Sequence, residues 1–317
     1  MPTLPIVPLI PHPSPVEELH RLRRALGGGP RLLVKRDDAL PFAFGGNKVR
    51  KMQLVAAHAV GAGADTLITC GGVQSNHARV TAAVAAKLGL RCILVVNGTA
   101  PERVTGNGLL DRLLGAEVRY VADRAERAPA MEVAAEEMRR AGRTPYVIPI
   151  GASTPLGACG FVGAATELRA QLDEPPDVII HSSSSGGTQA GLVAGGSMAM
   201  PGTRIIGVSA DEPGDALTAV IRELLNGIPP LLGGPAGQFD AATIEVDDRF
   251  VGGGYGVPTD ESREAIDLLA RSEAIFLDPT YTAKAMAGLM ARVRAHEFRE
   301  DQTVLFWHTG GQVTLFA

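Results

Sequence analysis

Lysine is scarce in this chain. Lys35, Lys48, Lys51, Lys87 and Lys284 are the only lysines among 30 basic residues, so few amines compete for a role that needs one. Cysteine is scarcer: Cys70, Cys92 and Cys159 are odd in number, widely spaced and form no CxxC pair. That excludes a disulfide framework and a zinc site and points to a reducing compartment. Cys70 and Cys92 lie in apolar runs and are expected in the core. No apolar run is long enough to span a membrane. No basic segment followed by an apolar stretch opens the chain, so a cytoplasmic protein is expected. Excess charge is missing too. A net charge of -4 gives no reason to expect nucleic acid or an anionic membrane as partner. There is no internal repeat and no low-complexity tract.

The rest is ordinary for a soluble globular protein: 317 residues, 45% hydrophobic and 20% charged, long enough for two domains. Prolines 2, 5, 8, 11, 13 and 15 predict an extended N-terminal arm. Short continuous apolar runs at 32–36, 66–70, 92–96, 118–121, 146–149, 178–181, 205–209 and 304–307 read as strands buried on both faces. Helical patterns lie between them at 47–60, 76–88, 108–114, 128–141, 156–172, 188–198 and 281–295. This alternation predicts an α/β fold with parallel sheets. Ligands then bind beyond the carboxyl ends of the strands.

Lys48 is the first candidate. It follows Gly45, Gly46 and Asn47 and opens a helical pattern. Asn47 is a suitable N-cap. A lysine on the first helical turn faces the positive end of the dipole, which lowers its pKa and suits it to Schiff-base chemistry. The loop Cys70–His77 follows a strand and brings a hydroxyl, an amide and an imidazole together. Ser75 is a nucleophile or a carboxylate-binding group. Asn76 can donate to a phenolate oxygen. His77 is either an acid/base group or an orienting partner of Ser75. The loop Ser182–Gly191 joins hydroxyls and glycines to a helix start, which makes a phosphate cup. It has neither a P-loop lysine nor the dinucleotide GxGxxG spacing, so a small phosphorylated cofactor is indicated. Tyr255 and Tyr281, two of only four tyrosines, stand at loop–helix junctions, and His308–Gly311 ends the final strand.

In this order, the lysine after GGN, VQSNH, SGGTQAG, YGVP, DPTYT and HTGG resemble the D-cysteine desulfhydrase and 1-aminocyclopropane-1-carboxylate (ACC) deaminase family. The resemblance covers the chain from about Pro5 to His308. It implies a pyridoxal 5'-phosphate (PLP) enzyme with the tryptophan synthase β-like fold (PLP fold type II). That fold is a two-domain, three-layer α/β architecture with open parallel sheets. The small domain would span 51–151, and the large domain 1–50 and 152–317. A homodimer acting on a small amino acid is expected.

The resemblance also assigns roles. Lys48 would carry the cofactor and later move the Cα proton. Asn76 would bind the phenolate oxygen, and Ser184, Ser185, Gly186, Gly187 and Thr188 the phosphate. Thr282 would contact the pyridine nitrogen. Ser75, Asn76, His77, Tyr255 and Tyr281 would meet the substrate, with Ser75, Tyr255 and Tyr281 joining Lys48 in catalysis. Where the deaminases have a glutamate this chain has Thr282, a weaker support for an electron sink. That and His77 favour loss of thiolate from D-cysteine over cyclopropane opening. The segment Gly151–Gly157 resembles the deaminase version and is expected near the substrate. The alternatives are ACC deaminase, a lyase for cysteate or another β-substituted alanine, and a phosphate-ligand binding protein without turnover.

Overall fold

A computed structural model describes residues 4–317. Among these residues the strands are β1 (Val16–Glu18), β2 (Arg31–Arg36), β3 (Thr66–Gly72), β4 (Arg91–Asn97), β5 (Glu117–Val121), β6 (Pro145–Val147), β7 (Val178–Ser183), β8 (Arg204–Ser209), β9 (Glu245–Asp247) and β10 (Thr303–His308). The helices are α1 (His20–Ala25), α2 (Asn47–Gly61), α3 (Asn76–Leu88), α4 (Gly106–Leu113), α5 (Arg127–Arg140), α6 (Pro155–Gln171), α7 (Gly187–Ala199), α8 (Gly214–Asn226), α9 (Ile228–Leu231), α10 (Asp260–Glu273) and α11 (Thr282–Arg294).

The strands form a six-stranded sheet, β1-β2-β10-β7-β8-β9, and a four-stranded sheet, β5-β4-β3-β6. Every pairing is parallel except β1 with β2. The apolar runs form strands because both faces are covered. In the larger sheet Ile179 and Leu305 pack towards α6, α7 and α8, whereas Val178, Ile180 and Val304 pack towards α11 and α10. In the smaller sheet Leu67 and Leu94 face α2 and α3, and Ile68 and Ile93 face α5. Alternate residues of one strand thus serve two cores, as the period of two requires. Each fully buried Val, Ile or Leu contributes about 1.5–3 kcal/mol. All three cysteines are free and buried.

Each strand anticipated from the sequence is present, and the helices match to within a few residues. β1 and β9, with the sequences VEE and EVD, have no apolar run to announce them. The arm at 4–15 has no regular structure and is tied to α2, where Gln53 accepts hydrogen bonds from the N–H groups of Val7, Leu9 and Ile10. The N-cap of α2 is Gly46, not Asn47. At Gly46 φ is 100°, and a Cβ would lie 2.9 Å from the Thr309 carbonyl oxygen. Only glycine tolerates both, so Asn47 moves into the first turn. There its side-chain NH2 group donates to the Thr188 hydroxyl at 2.9 Å.

A buried ionic cluster holds the base of α2. Arg50 makes a two-pronged contact with Asp37 at 2.7 and 2.8 Å and reaches Glu167 at 2.9 Å. Asp37 also accepts from Ser14 and from the Trp307 indole, each at 2.8 Å.

Candidate active site

A cavity of about 290 Å³ is lined from the carboxyl ends of β3, β7, β8 and β10 and from the first turns of α2, α3 and α7. Of the residues singled out in the sequence, it brings together Lys48, Ser75, Asn76, His77, Ser184, Ser185, Gly186, Thr188, Tyr255 and Tyr281. Gly187 and Thr282 lie outside the lining.

Lys48 faces the cavity with no hydrogen-bonding or carboxylate partner for its amine among the described residues. Burial lowers its pKa from 10.5 to about 8. The other lysines are engaged or remote. Lys35 is held by Glu167, Gln171 and the Ser14 carbonyl. Lys284 is held by the carbonyls of Ala210, Val251 and Gly254. Lys87 is exposed near the end of α3. A testable consequence follows from the value for Lys48. Only the neutral amine captures an aldehyde, so the rate at which cofactor-free protein takes up PLP should rise about tenfold per pH unit below pH 8. It should level off above about 8. A rate that climbs without a break towards 10.5 would identify an ordinary solvated lysine instead.

Lys51 was not singled out, yet it is fully buried. Its amine donates to Ser153 Oγ at 3.1 Å and to the Gly151 carbonyl at 3.2 Å. Burial first, then the charge of Lys48, pushes its pKa well below the usual lysine value. Among the described residues no carboxylate pairs with it. Ser153 Oγ also meets Ser185 Oγ at 2.8 Å and accepts from the Gly187 N–H at 3.3 Å. The first-turn N–H groups of α7 have no intrahelical acceptor, and Gly186, its N-cap, offers no side chain. A Cβ on Gly187 would lie 2.9 Å from the Lys51 amine. A buried amine with no carboxylate partner, the first-turn N–H groups and hydroxyls therefore surround a space that a side chain would fill, and a phosphate dianion, which would also favour the charged form of the amine, fits that donor set. The segment 151–157, expected near the substrate, lines the cavity at Gly151 and contributes Ser153 to this cup. The i, i+3 spacing of Lys48 and Lys51 on one helix was the available signal.

Asn76 is fixed by its carbonyl oxygen, which accepts from Arg79 at 3.1 Å and from Asn107 at 2.9 Å. Its NH2 group remains free as a donor. Ser75 caps α3, its Oγ accepting from the Ala78 N–H at 3.2 Å, and the hydroxyl proton is still available. The two sequence readings of Ser75, cap and functional group, are thus compatible.

His77 bonds Thr69 rather than Ser75. The Thr69 hydroxyl donates to the Ile148 carbonyl, so the 2.8 Å contact requires Nε2–H of His77 to donate to Thr69. Nδ1 is then a bare acceptor without a partner among the described residues. Burial first, then Lys48 and Lys51, holds the imidazole pKa well below 6.5. His77 is neutral, so it offers an acceptor and not an acid.

The hydroxyls of Tyr255 and Tyr281 lie 2.6 Å apart. Burial raises both phenol pKa values, that of Tyr281 strongly. One phenol donates to the other, which leaves one O–H free to face the cavity. Thr282 lies outside the lining and is bonded to Asp278. Its hydroxyl donates to the carboxylate at 2.6 Å and accepts from the Asp278 N–H at 2.8 Å. The hydroxyl at the end of β10 that does line the cavity is Thr309, 2.7 Å from Ser182 Oγ.

Arg124, Arg127, Asp211 and Glu212 complete the wall. None was anticipated, although the two arginines follow the carboxyl end of β5, where the strand rule directs attention.

The family described as pyridoxal-phosphate dependent enzyme matches residues 7–310. The chain is 40% identical, over 99% of its length and 96% of the relative's, to D-cysteine desulfhydrase of Salmonella newport (strain SL254). The D-cysteine desulfhydrase of Salmonella enteritidis PT4 (strain P125109) matches equally. Among solved structures, an ACC deaminase homologue superposes with a TM-score of 0.91 at 38% identity, covering 99% of this chain and 94% of that one. Threonine deaminase isoform 2 from Solanum lycopersicum gives 0.67 at 20% identity, with coverage of 95% and 79%, and shares the fold.

Proposed function

This chain belongs to the pyridoxal-phosphate dependent enzymes, and we propose that its reaction is the elimination of D-cysteine to pyruvate, sulfide and ammonia. Membership in an enzyme family leaves no place for a phosphate-ligand binder without turnover. The observation that carries the reading is the pairing, in one cavity, of an unpartnered Lys48 with the Lys51–Ser153–α7 cup. The identity to D-cysteine desulfhydrase over 99% of the chain supports the substrate.

When bound, PLP supplies an electron sink for negative charge at the substrate Cα. Lys51, Ser153, Ser185 and the first turn of α7 would hold the phosphate. Asn76 would offer its NH2 to the ring oxygen. Lys48 would hold the cofactor and would take the Cα proton of the bound substrate. Ser75 and the free N–H groups at the start of α3 hold the substrate carboxylate. The remaining O–H of the Tyr255–Tyr281 pair gives a proton to the departing sulfur. Closed around the substrate, these residues exclude water until the Cβ–S bond has broken.

The likeness to an ACC deaminase homologue supports a second reading, cyclopropane opening. That reaction has a poor carbon leaving group and needs a strong electron sink, which a carboxylate at the pyridine nitrogen provides. The lining carboxylates, Asp211 and Glu212, face Arg124 at 3.5 and 3.8 Å, and the hydroxyl of Thr282 is committed to Asp278. Elimination is therefore favoured. The purified enzyme with PLP should release sulfide and pyruvate from D-cysteine and form at least about 100-fold less 2-oxobutyrate from ACC, a difference of about 2.7 kcal/mol in barrier. Efficient 2-oxobutyrate formation would reverse the assignment.

The same proposal includes a small domain at 51–151 and a large domain of 1–50 and 152–317, supported by the separate sheet of β3–β6. It also includes a cytoplasmic homodimer. Three free cysteines support the location, and the family resemblance supports the dimer. Among the described residues no helix is long and apolar enough to cross a membrane.

A further inference from the structure

Lys284 takes no part in the steps above and does not line the cavity. It is the third residue of α11 and fully buried. Its charge is thus taken from water and set in the first turn of a helix, where the dipole opposes it. Burial lowers its pKa, and Asp211 and Asp278 offset part of that from beyond ion-pair distance. Its amine donates to three backbone carbonyls, that of Ala210 at 2.9 Å and those of Val251 and Gly254 at 2.8 Å. That is the full donor capacity of an ammonium group.

Two of these carbonyls belong to the segment 251–257, VGGGYGV, which has four glycines. Gly252, Gly254 and Gly256 adopt positive φ, and such a stretch loses much backbone freedom when it is fixed. Its own hydrogen bonds are weak. Those from the N–H groups of Val251, Gly254 and Val257 are all 3.3 Å long, beyond the usual range. Yet this segment places Tyr255, whose hydroxyl meets that of Tyr281 at 2.6 Å. The third carbonyl, of Ala210, precedes Asp211 in the cavity wall. Tyr281 is the N-cap of α11, so Lys284 stands one turn from one phenol and grips the loop that carries the other.

We propose that Lys284 is a positioning residue whose amine fixes the 251–257 loop and thereby holds Tyr255 against Tyr281. The tethered cation replaces backbone hydrogen bonds that the glycine-rich segment makes poorly. The effect on turnover rests on the lyase reading and on the phenol pair as proton donor. With D-cysteine the Cβ–S bond breaks with its pair going to sulfur, which takes the proton of the free phenol. Water restores that proton after product release. With β-chloro-D-alanine the chloride leaves with the bonding pair and needs no proton.

The test is Lys284→Ala in the holoenzyme, with n-propylammonium as probe because it supplies the atoms removed. Wild type in the same solutions is the reference. Hydrogen exchange at the amides of 251–257 should quicken at least about 10-fold, while exchange in β7 and β10 stays as in wild type. Propylammonium should restore the protection, and 1-propanol, of like size but uncharged, should not. The ratio of kcat for D-cysteine to kcat for β-chloro-D-alanine should fall at least about 30-fold, within the range for a misplaced proton donor. Propylammonium should raise it again. Lys284→Met, which keeps an apolar stem and removes the charge, should show the same two losses. Exchange that is unchanged at 251–257, or that rises equally through the core, overturns the inference. So does an unchanged ratio in a variant that turns over both substrates. Failure of both variants to fold, with propylammonium present, also overturns it, because Lys284 would then be a general support of the core. If the wild type converts neither substrate, the lyase reading fails, and the exchange measurement still decides this inference.

Discussion

Replacing Lys48 with alanine should lower pyruvate formation from D-cysteine about 10,000-fold or more, the scale of losing a group that both holds a cofactor and moves a proton. No other amine can take its place. Lys35 and Lys284 are each fixed by three acceptors. Lys51, three residues further along α2, is tied to Gly151 and Ser153 beside the cup. Lys48→Arg should fare no better, because a guanidinium stays protonated and does not add to a carbonyl. Both variants should retain phosphate affinity, since Lys51 and the start of α7 are untouched. Activity within tenfold of wild type in either variant would remove Lys48 from the mechanism.

The second large effect is on stability. Arg50→Leu should cost about 3–5 kcal/mol, the range for breaking a buried ion pair from one side. Asp37 is fully buried and would keep only the Ser14 and Trp307 donors, while Glu167 would keep Lys35. The cluster joins the N-terminal arm, β2, α2, α6 and β10, so the loss should appear as lower thermal and urea midpoints of the whole chain. Arg50→Lys should recover part of the loss but not the two-pronged contact with Asp37. A midpoint shift corresponding to less than about 1 kcal/mol, the scale of an exposed pair, would show that the cluster does not hold these elements together.

The core of the fold was legible because parallel strands covered on both faces leave a plain mark. VIIH, ILVV and VLFW are continuous apolar runs, and each became a central strand. VEE and EVD are edge strands that pair along one side only and carry no such pattern. α10 too is marked in the sequence: Thr259 and Ser262 form a reciprocal cap ahead of an amphipathic stretch.

The site divides in a similar way. Lys48, Ser75, Asn76, Tyr255 and Tyr281 were readable because each sits at a junction where a loop meets a helix, and junctions are marked by glycine, proline and capping residues. Lys51 looks like an ordinary helix-surface cation in the sequence. Its burial and its lack of a carboxylate are displayed only by the folded chain. Thr282 was equally visible in DPTYT, whereas its bond to Asp278 four residues earlier is displayed only by the folded chain.

The central claim is that Lys48, and not its buried neighbour Lys51, carries the cofactor. Borohydride reduction of the holoenzyme fixes PLP to whichever amine holds it, and peptide mass mapping then locates the adduct. The adduct should lie on Lys48, with Lys51 unmodified. An adduct on Lys51, Lys35 or Lys284 would contradict the account.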